Sequence, residues 1–315
     1  MNKSSNQTEQ SCADVRVQRV QGDDFSFDEQ DSLAVEEPLE IRIGIIENGK
    51  RSHKSISITM RTPNVNPNSD FELAAGFLFT EGIIQSCDQI QKIHHCGLRL
   101  KKGAPNNTVR VDLKPEVTVD FKKLERHFYT SSSCGVCGKT SIEALQTGAC
   151  SIIERDKPIF NAELIHKLPE ILRTRQNVFE KTGGLHAAAL FDDKGNLETL
   201  REDVGRHNAV DKLIGTRFLA NETPLDHKLL LVSGRASFEL VQKALMGGIP
   251  ILAAVGAPSS LAVELAKEFG MTILGFVRNN RFNIYAGAQR IRSSNESGGT
   301  GIAENAEKSA LTATM

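Results

Sequence analysis

Two cysteines, Cys134 and Cys137, have the residue type and the spacing best suited to chemistry in this chain. They belong to Cys134-Gly135-Val136-Cys137-Gly138, a glycine-bracketed turn that precedes a helix-forming stretch at 140–145. Two thiols at CxxC spacing can share a metal ion, cycle between dithiol and disulfide, or carry sulfur as a persulfide. Each of these uses requires a deprotonated sulfur, and the start of a helix favours the thiolate.

The rest of the sequence weighs against the metal and the disulfide alternatives. A structural zinc site needs about four ligands, commonly a second CxxC or a spaced pair of histidines. The histidines at 94–95 have no second ligand pair, and the other cysteines are isolated: Cys12, Cys87, Cys96 and Cys150. A thioredoxin-type protein has its CxxC directly after an early strand, whereas this pair lies between two predicted domains. We therefore expect no zinc, and we favour a persulfide on Cys134 that Cys137 supports or resolves.

Composition limits the class of protein. The chain has 315 residues, a hydrophobic fraction of 39% and a formal net charge of −1, which fits two globular domains and gives no electrostatic case for nucleic-acid binding. No apolar run is long enough to span a bilayer, and the polar residues 1–5 do not form a signal peptide. Six scattered cysteines do not form a disulfide framework. We expect a cytoplasmic protein with reduced thiols and without a membrane or nucleic-acid partner.

Sequence patterns divide the chain into consecutive segments. Residues 1–34 are polar and acidic without a clear period, which predicts a disordered leader. Residues 35–130 alternate apolar and polar positions around one helix, which predicts a small α+β domain on an antiparallel sheet. We assign residues 131–180 to the CxxC loop and a helical connector, residues 181–291 to an α/β domain, and residues 292–315 to a disordered tail.

The second half has short apolar strands that alternate with helices. Strands at 228–232, 251–255 and 271–277 are almost fully apolar, and a hairpin over 186–200 precedes them. Strands of this kind predict a mixed, largely parallel sheet with helices on both faces. The expected fold class is α/β, with an α+β N-terminal domain.

Polar residues follow these strands at the edge where α/β sheets bind ligands. Ser233 and Arg235 follow the first strand, a Gly-Ala-Pro-Ser-Ser turn follows the second, and residues 276–281, with two arginines, follow the third. Backbone N–H groups at helix starts attract anions, and arginine can bind a phosphate through two hydrogen bonds. Together these turns predict a phosphate-bearing ligand, whereas one turn alone would be weak evidence because small residues and serine simply cap the helix in most such turns.

The densest polar cluster is Glu202-Asp203-Val204-Gly205-Arg206-His207. Asp203 can cap the following helix, Arg206 can bind a phosphate or carboxylate, and His207 can donate to ligand oxygens. The alternative is a capped helix start with solvated charges. His186 stands alone before an apolar run, and we expect a core histidine with a satisfied hydrogen bond.

Several long motifs in this order resemble the formate dehydrogenase accessory sulfurtransferases, the FdhD family. The resemblance extends from about Val35 to Arg290. Besides the CxxC run, the motifs are Val35-Glu36-Glu37-Pro38-Leu39, Leu73-Ala74-Ala75-Gly76-Phe77-Leu78-Phe79-Thr80-Glu81-Gly82, His186-Ala187-Ala188-Ala189, Glu202 to His207, Asp211-Lys212-Leu213, Ser233-Gly234-Arg235-Ala236-Ser237 and Gly275-Phe276-Val277-Arg278.

The resemblance implies a sulfur carrier with a defined route. It would take sulfane sulfur from a cysteine desulfurase and deliver it to the molybdenum of a bis-(molybdopterin guanine dinucleotide) cofactor for formate dehydrogenase. The match to the family's CxxC motif implies that Cys134 bears the persulfide and that Cys137 is its partner. The family's cofactor-binding stretch falls on Phe276, Val277, Arg278, Asn279, Asn280 and Arg281.

The family is also similar to cytidine deaminases in its second half, which implies a three-layer α/β/α domain. A deaminase needs a catalytic glutamate and zinc cysteines. His207-Asn208-Ala209 has no such glutamate, and the turn at 233–236 has no cysteine. We therefore expect a deaminase-like framework without deamination. A homodimer would suit a cofactor with two guanosine diphosphate arms. A CxxC dithiol–disulfide oxidoreductase and a non-enzymatic molybdenum-cofactor chaperone remain the alternative functions.

Overall fold

The computed structural model describes residues 11–47, 49–63, 65–97, 106–120, 153–154 and 156–293. Its strands form a six-stranded sheet, a four-stranded sheet and two two-stranded ladders. Within these ranges no helix is both long enough and apolar enough to cross a membrane. Cys134 and Cys137, the helix expected at 140–145, residues 1–10 and the tail from residue 294 lie outside the described residues.

The described chain begins with a hairpin. β1 (Cys12–Gln21) pairs antiparallel with β2 (Asp24–Ala34) around Gly22, which has a φ of +63°. Valines in β1 and phenylalanines in β2 supply the period of two that a strand needs. Residues 12–34 are therefore a hairpin, contrary to the expectation of a disordered leader, because the alternation is present but masked in the sequence by many charged neighbours.

The four-stranded sheet contains β3 (Glu37–Glu47), β4 (Lys50–Arg61), β5 (Ile90–His95) and β6 (Thr108–Leu113) in the order β4-β3-β6-β5. β3 and β4 form the predicted hairpin, and α1 (Ser69–Thr80) follows them. β3 and β6 run parallel, whereas an antiparallel sheet was expected. The difference arises because α1 and β5 return the chain before β6 begins.

The six-stranded sheet contains β8 (His186–Phe191), β9 (Leu197–Asp203), β10 (Leu229–Val232), β11 (Ile251–Ala254), β12 (Thr272–Arg278) and β13 (Arg281–Ala286). The strand order is β13-β12-β11-β10-β8-β9. The central pairs β10–β11 and β11–β12 are parallel, and β8–β9, β8–β10 and β12–β13 are antiparallel. The mixed sheet of the predicted α/β fold is thus confirmed.

Helices cover both faces of this sheet. In β10, Leu230 faces α4 (Arg206–Leu219), α5 (Phe238–Met246) and α6 (Ser260–Glu268), while Leu229 and Leu231 face α2 (Ala162–Arg173). Both faces are buried, which explains why the strand is continuously apolar. The short α3 (Asn177–Thr182) leads from α2 to β8, and the connector therefore contains two helices.

The two halves of the chain share one hydrophobic core through α1 and α4. A Cβ on Gly76 would lie 1.8 Å from the carbonyl oxygen of Asp211, and a Cβ on Gly215 would lie 1.9 Å from that of Glu72. The helices therefore cross backbone to backbone, which only glycine permits.

The connector is tied to the end of the described chain by a short parallel pair, β7 (Phe160–Asn161) and β14 (Ile291–Arg292). The fully buried Arg290 donates to the carbonyl oxygens of Lys157 and Gly270, each at 2.9 Å.

Candidate functional site

The turns after β10, β11 and β12 lie side by side at one edge of the six-stranded sheet. The N–H of Gly256 donates to the carbonyl oxygen of Gly234 at 2.9 Å, and the N–H of Phe276 donates to that of Gly256 at 3.0 Å. The N–H of Ala236 reaches the carbonyl oxygen of Ala257 at 3.2 Å. The structure therefore brings the turns predicted to bind a ligand into one continuous surface, which we call the carboxyl edge (residues 203–207, 233–237, 256–259 and 276–281).

Two helices begin at this edge without a side-chain cap. Gly205, which has no side chain, precedes α4, and Ser237 precedes α5 without its side chain accepting a bond from the first turn. By contrast, Ser259 caps α6 by accepting from the N–H of Ala262. The first-turn N–H groups and the positive end of α4 favour an anion at the edge, whereas the start of α5 already holds the Glu239 carboxylate, which accepts from its own N–H.

Arginines at the edge lack acidic partners. Arg235, Arg278 and Arg281 are exposed and Arg206 is half-buried, and in the described ranges none of these four forms an ion pair with a carboxylate. Elsewhere the buried Arg61 pairs with Asp70. Because guanidinium groups bind phosphate oxygens through charge-assisted hydrogen bonds, four uncompensated arginines at one edge fit a phosphate-bearing ligand.

The β12–β13 hairpin has an unusual backbone at its exit. Phe276 has a φ of +55°, which costs a residue with a bulky side chain of order 1–3 kcal/mol. The ladder is irregular between Gly275 and Arg278, and a Cβ on Gly275 would lie 2.7 Å from Cδ of Pro258. This bulge leaves Val277 buried and places the Arg278 guanidinium 5.8 Å from the Phe276 ring centroid.

The tip of that hairpin is a two-residue turn. Arg278 pairs in register with Arg281, and Asn279 and Asn280 between them have φ values of +53° and +55°. Asparagine tolerates this left-handed conformation, which fits a type I′ turn. All four residues are exposed. The structure therefore presents the predicted cofactor stretch as an exposed hairpin tip, which we call the finger, at the carboxyl edge.

His207 is anchored over the start of α5. Its Nε2 lies 3.5 Å from Oγ of Ser237 and 3.9 Å from Oε2 of Glu239. The contact with His207 lowers the pKa of Glu239 to about 2. Glu239 thus remains a carboxylate near neutral pH, and its charge is directed to His207.

His186 is a residue of the edge that the sequence analysis assigned to the core. It is half-buried, and Nδ1 lies 3.5 Å from where a Cβ on Gly234 would stand. None of the hydrogen bonds among the described residues involves its ring, so the expected satisfied core histidine is wrong. Burial, and then the charges of Arg206 and His207, lower the pKa of His186. One feature of the sequence could have indicated this position. His186 is the first residue of β8, and because β8 is antiparallel to β10, its start lies beside the end of β10.

Ser233 is hydrogen-bonded to β8 of the six-stranded sheet. Its Oγ accepts the N–H of Ala187 at 2.9 Å, while its own N–H donates to the carbonyl oxygen of Ala187 at 3.0 Å. The first turn is therefore locked to β8, and the hydroxyl hydrogen of Ser233 is left for a ligand.

Acidic residues of the cluster before α4 fix the helix start. Asp203 is fully buried, and its Oδ2 lies 2.5 Å from Nζ of Lys212. Its Oδ1 accepts the N–H of Gly205 at 2.8 Å and the side-chain amide of Asn208 at 3.0 Å. These contacts position Arg206 and His207 at the edge.

Glu202 has a separate structural role. It accepts the N–H of Phe179 at 3.0 Å and that of Val178 at 3.3 Å, at the start of α3, and burial raises its pKa. Within the described part of the chain, no group of three or more histidine, cysteine or acidic side chains could hold a metal ion.

Comparison with known proteins gives one consistent result. The model of the FdhD/NarQ family matches residues 34–292. Sulfur carrier protein FdhD of Streptomyces avermitilis is 52% identical over 263 residues, which are 83% of this chain and 89% of that protein. The protein of the same name from Picrophilus torridus is 45% identical over 261 residues, 83% of this chain and 92% of the relative.

A solved structure shares the fold. The crystal structure of a formate dehydrogenase accessory protein from Desulfotalea psychrophila matches with a TM-score of 0.65 and 23% sequence identity, and covers 89% of this chain and 99% of that one.

Proposed function

This chain belongs to the FdhD/NarQ family, and from that premise we propose that it carries sulfur as a persulfide on Cys134 to a molybdenum cofactor. A cysteine desulfurase donates the sulfur. The bis-(molybdopterin guanine dinucleotide) cofactor receives it and then serves formate dehydrogenase. The single observation that supports the cofactor side of this proposal is the carboxyl edge, with four arginines that lack acidic partners in the described residues.

Sulfur is accepted without net oxidation. The Cys134 thiolate attacks the terminal sulfur of the donor's cysteine persulfide, the donor S–S bond breaks, and the donor cysteine leaves as a thiolate. Sulfane sulfur moves from one cysteine to another, and the number of S–S bonds stays constant.

Delivery as sulfide needs an electron pair, which Cys137 supplies. Its thiolate attacks Sγ of Cys134, the bond to the carried sulfur breaks, and that sulfur leaves as hydrosulfide to ligate molybdenum. Cys134 and Cys137 end as a disulfide, so the cysteines are oxidised as the carried sulfur is reduced. A cellular dithiol reductant restores the pair.

The carboxyl edge would hold the cofactor through its nucleotide arms. Arg206, Arg235 and the N-terminus of α4 offer donors to the diphosphate. The finger with Phe276, Arg278 and Arg281 offers a ring and two guanidinium groups to the guanosine. Because the cofactor has two such arms, a two-fold homodimer provides one edge for each.

Mass spectrometry after incubation with a cysteine desulfurase and free cysteine tests the sulfur-carrier role. We expect one added sulfur atom on Cys134, lost in Cys134→Ala and retained in the control Cys96→Ala. Cys137→Ala cannot expel the carried sulfur, so failure of its Cys134 to acquire sulfur, with a Cys134–Cys137 disulfide in the wild type, would support the oxidoreductase. Cofactor binding by a protein that never acquires sulfur would support the chaperone.

A second test uses the client enzyme. Cys134→Ala should fold and bind cofactor yet fail to activate formate dehydrogenase, because it lacks the sulfur acceptor. Normal activation by this variant would refute the role of Cys134.

A further inference from the structure

The end of the β1–β2 hairpin presents an exposed aromatic patch. Val20 and Phe25 are opposite each other in the ladder, and Phe27 is two residues further on the same strand. They therefore lie on one face. Their exposed fractions are 53% for Val20, 63% for Phe25 and 66% for Phe27. Three large apolar side chains exposed together are typical of a binding surface.

The hairpin stands off the rest of the described chain. β1 and β2 form a two-stranded sheet of their own, and no residue of either strand is buried. It is attached where β2 packs beside α3, where the N–H of Val35 donates to the carbonyl oxygen of Ser11, and where Ala34 lies against Gly184. An isolated two-stranded hairpin is marginally stable in water, so this arm (residues 12–34) gains stability from a partner surface.

The arm is acidic, most of all at its tip. Residues 12–34 contain six carboxylates and two arginines, a formal net charge of −4. Arg19 pairs with Glu29 within the arm. The carboxylates of Asp23 and Asp24, beside the aromatic patch, form no ion pair or hydrogen bond with any described residue. The surface that fits this tip is therefore basic and offers arginine to aromatic rings.

A surface of that chemistry is present on the same chain, at the carboxyl edge. Arg278 and Arg281 are exposed on the finger, with no acidic partner among the described residues. A guanidinium has several N–H donors, so it can contact an arm carboxylate and a phosphate together.

The length of the arm allows a contact far from its base. Its base lies at Gly184, two residues before His186, which is itself at the edge. A strand of ten residues extends roughly 33 Å, so the tip of the arm stands well away from its base. The same length allows the tip to reach the edge of another molecule.

We infer that the acidic aromatic arm of one subunit docks on the carboxyl edge of a second copy of this chain, at Arg278 and Arg281. In a two-fold dimer the contact forms twice, because each arm meets the other subunit's edge. Two edges would then face each other within an arm's length, as a ligand with two nucleotide arms requires. This docking rests on the proposed homodimer, in which the arm and the two arginines of the finger form the contact between subunits.

Sedimentation of the full chain and its variants tests this contact. The wild type should dimerise, and Phe25→Ser with Phe27→Ser should weaken dimerisation about tenfold or more because the patch is lost. Asp23→Asn with Asp24→Asn should weaken it and reduce its salt dependence. Ile58→Ser, at a residue 70% exposed on β4, is the matched control and should dimerise normally. A monomeric wild type, or arm variants that dimerise as the wild type does, would overturn the inference.

Photo-crosslinking locates the docking site. A benzophenone amino acid at position 27, in a mixture of isotopically light and heavy protein, should yield mixed-isotope crosslinks to peptides that contain Arg278 or Arg281. Crosslinks confined to one copy, or crosslinks to the arm of the second copy, would contradict docking of the arm at Arg278 and Arg281. Guanosine diphosphate titration of the wild type reports separately on the proposed function: absence of binding would refute the cofactor site and leave the arm contact standing.

Discussion

Nζ of Lys243 lies 3.0 Å from Oδ1 of Asp211, and both side chains are buried between α1, α4 and α5. Nζ also contacts Glu81 at 2.9 Å and Oγ1 of Thr80 at 3.0 Å. Burial alone would lower the pKa of Lys243, but the charges of Asp211 and Glu81 outweigh it and raise the pKa. This cluster joins the two halves of the chain through α1, α4 and α5.

Removal of one partner from this cluster should be costly. Lys243→Met leaves the Asp211 carboxylate buried without its cation, and we expect a loss of about 3–5 kcal/mol in the free energy of unfolding. Urea denaturation measures it. Lys54→Ala, at an exposed pair with Glu47, is the control and should change stability by less than about 1 kcal/mol. Equal stability of both variants would show that the buried cluster contributes nothing.

The crossing of α1 and α4 should not tolerate a methyl group. Gly215→Ala places Cβ 1.9 Å from the carbonyl oxygen of Glu72, so the helices must separate. We expect the free energy of unfolding, measured by thermal denaturation, to fall by roughly 1–3 kcal/mol. Gly184→Ala, whose Cβ meets nothing closer than 3.5 Å, is the matched control and should unfold near the wild-type temperature. A wild-type melting temperature for Gly215→Ala would disprove the close crossing.

Arginines at the edge should set the affinity for guanosine diphosphate. Arg281→Ala and Arg235→Ala each remove a charge-assisted contact, and we expect affinity to fall roughly ten- to hundredfold by calorimetry. Arg175→Ala, at an exposed arginine after α2, should bind like the wild type. Unchanged affinity in Arg281→Ala would remove Arg281 from the site.

His186 should make anion binding depend on pH. Its pKa is lowered from the ordinary value of 6.5, so the ring is neutral near pH 7 and gains its charge only as the pH falls further. The facing charged groups are Arg206, His207 and Asp203. The wild type should gain more affinity for guanosine diphosphate than His186→Gln as the pH falls below the ordinary value of 6.5. Parallel pH profiles of the two proteins would exclude His186 from the site.

Much of the local structure was predictable. The apolar runs of β10, β11 and β12 predicted buried strands, and the turn around Gly49 predicted the β3–β4 hairpin. Arg235 and Arg278 were predicted at one edge because parallel strands end on the same side of a sheet. Each of these predictions depends on residues close together in the sequence.

Other features could not be predicted because they depend on contacts between distant residues. The sequence alone indicated the chemistry of a CxxC pair, the family, the alternation of strands and helices, and the basic turns. Only the tertiary structure showed that His186 lies under Gly234, that Asp203 pairs with Lys212, and that residues 12–34 form an arm. Periodicity reports which face of an element is apolar, but not which other element meets that face. Long-range packing, from the α1–α4 crossing to the stacked turns of the edge, decided that.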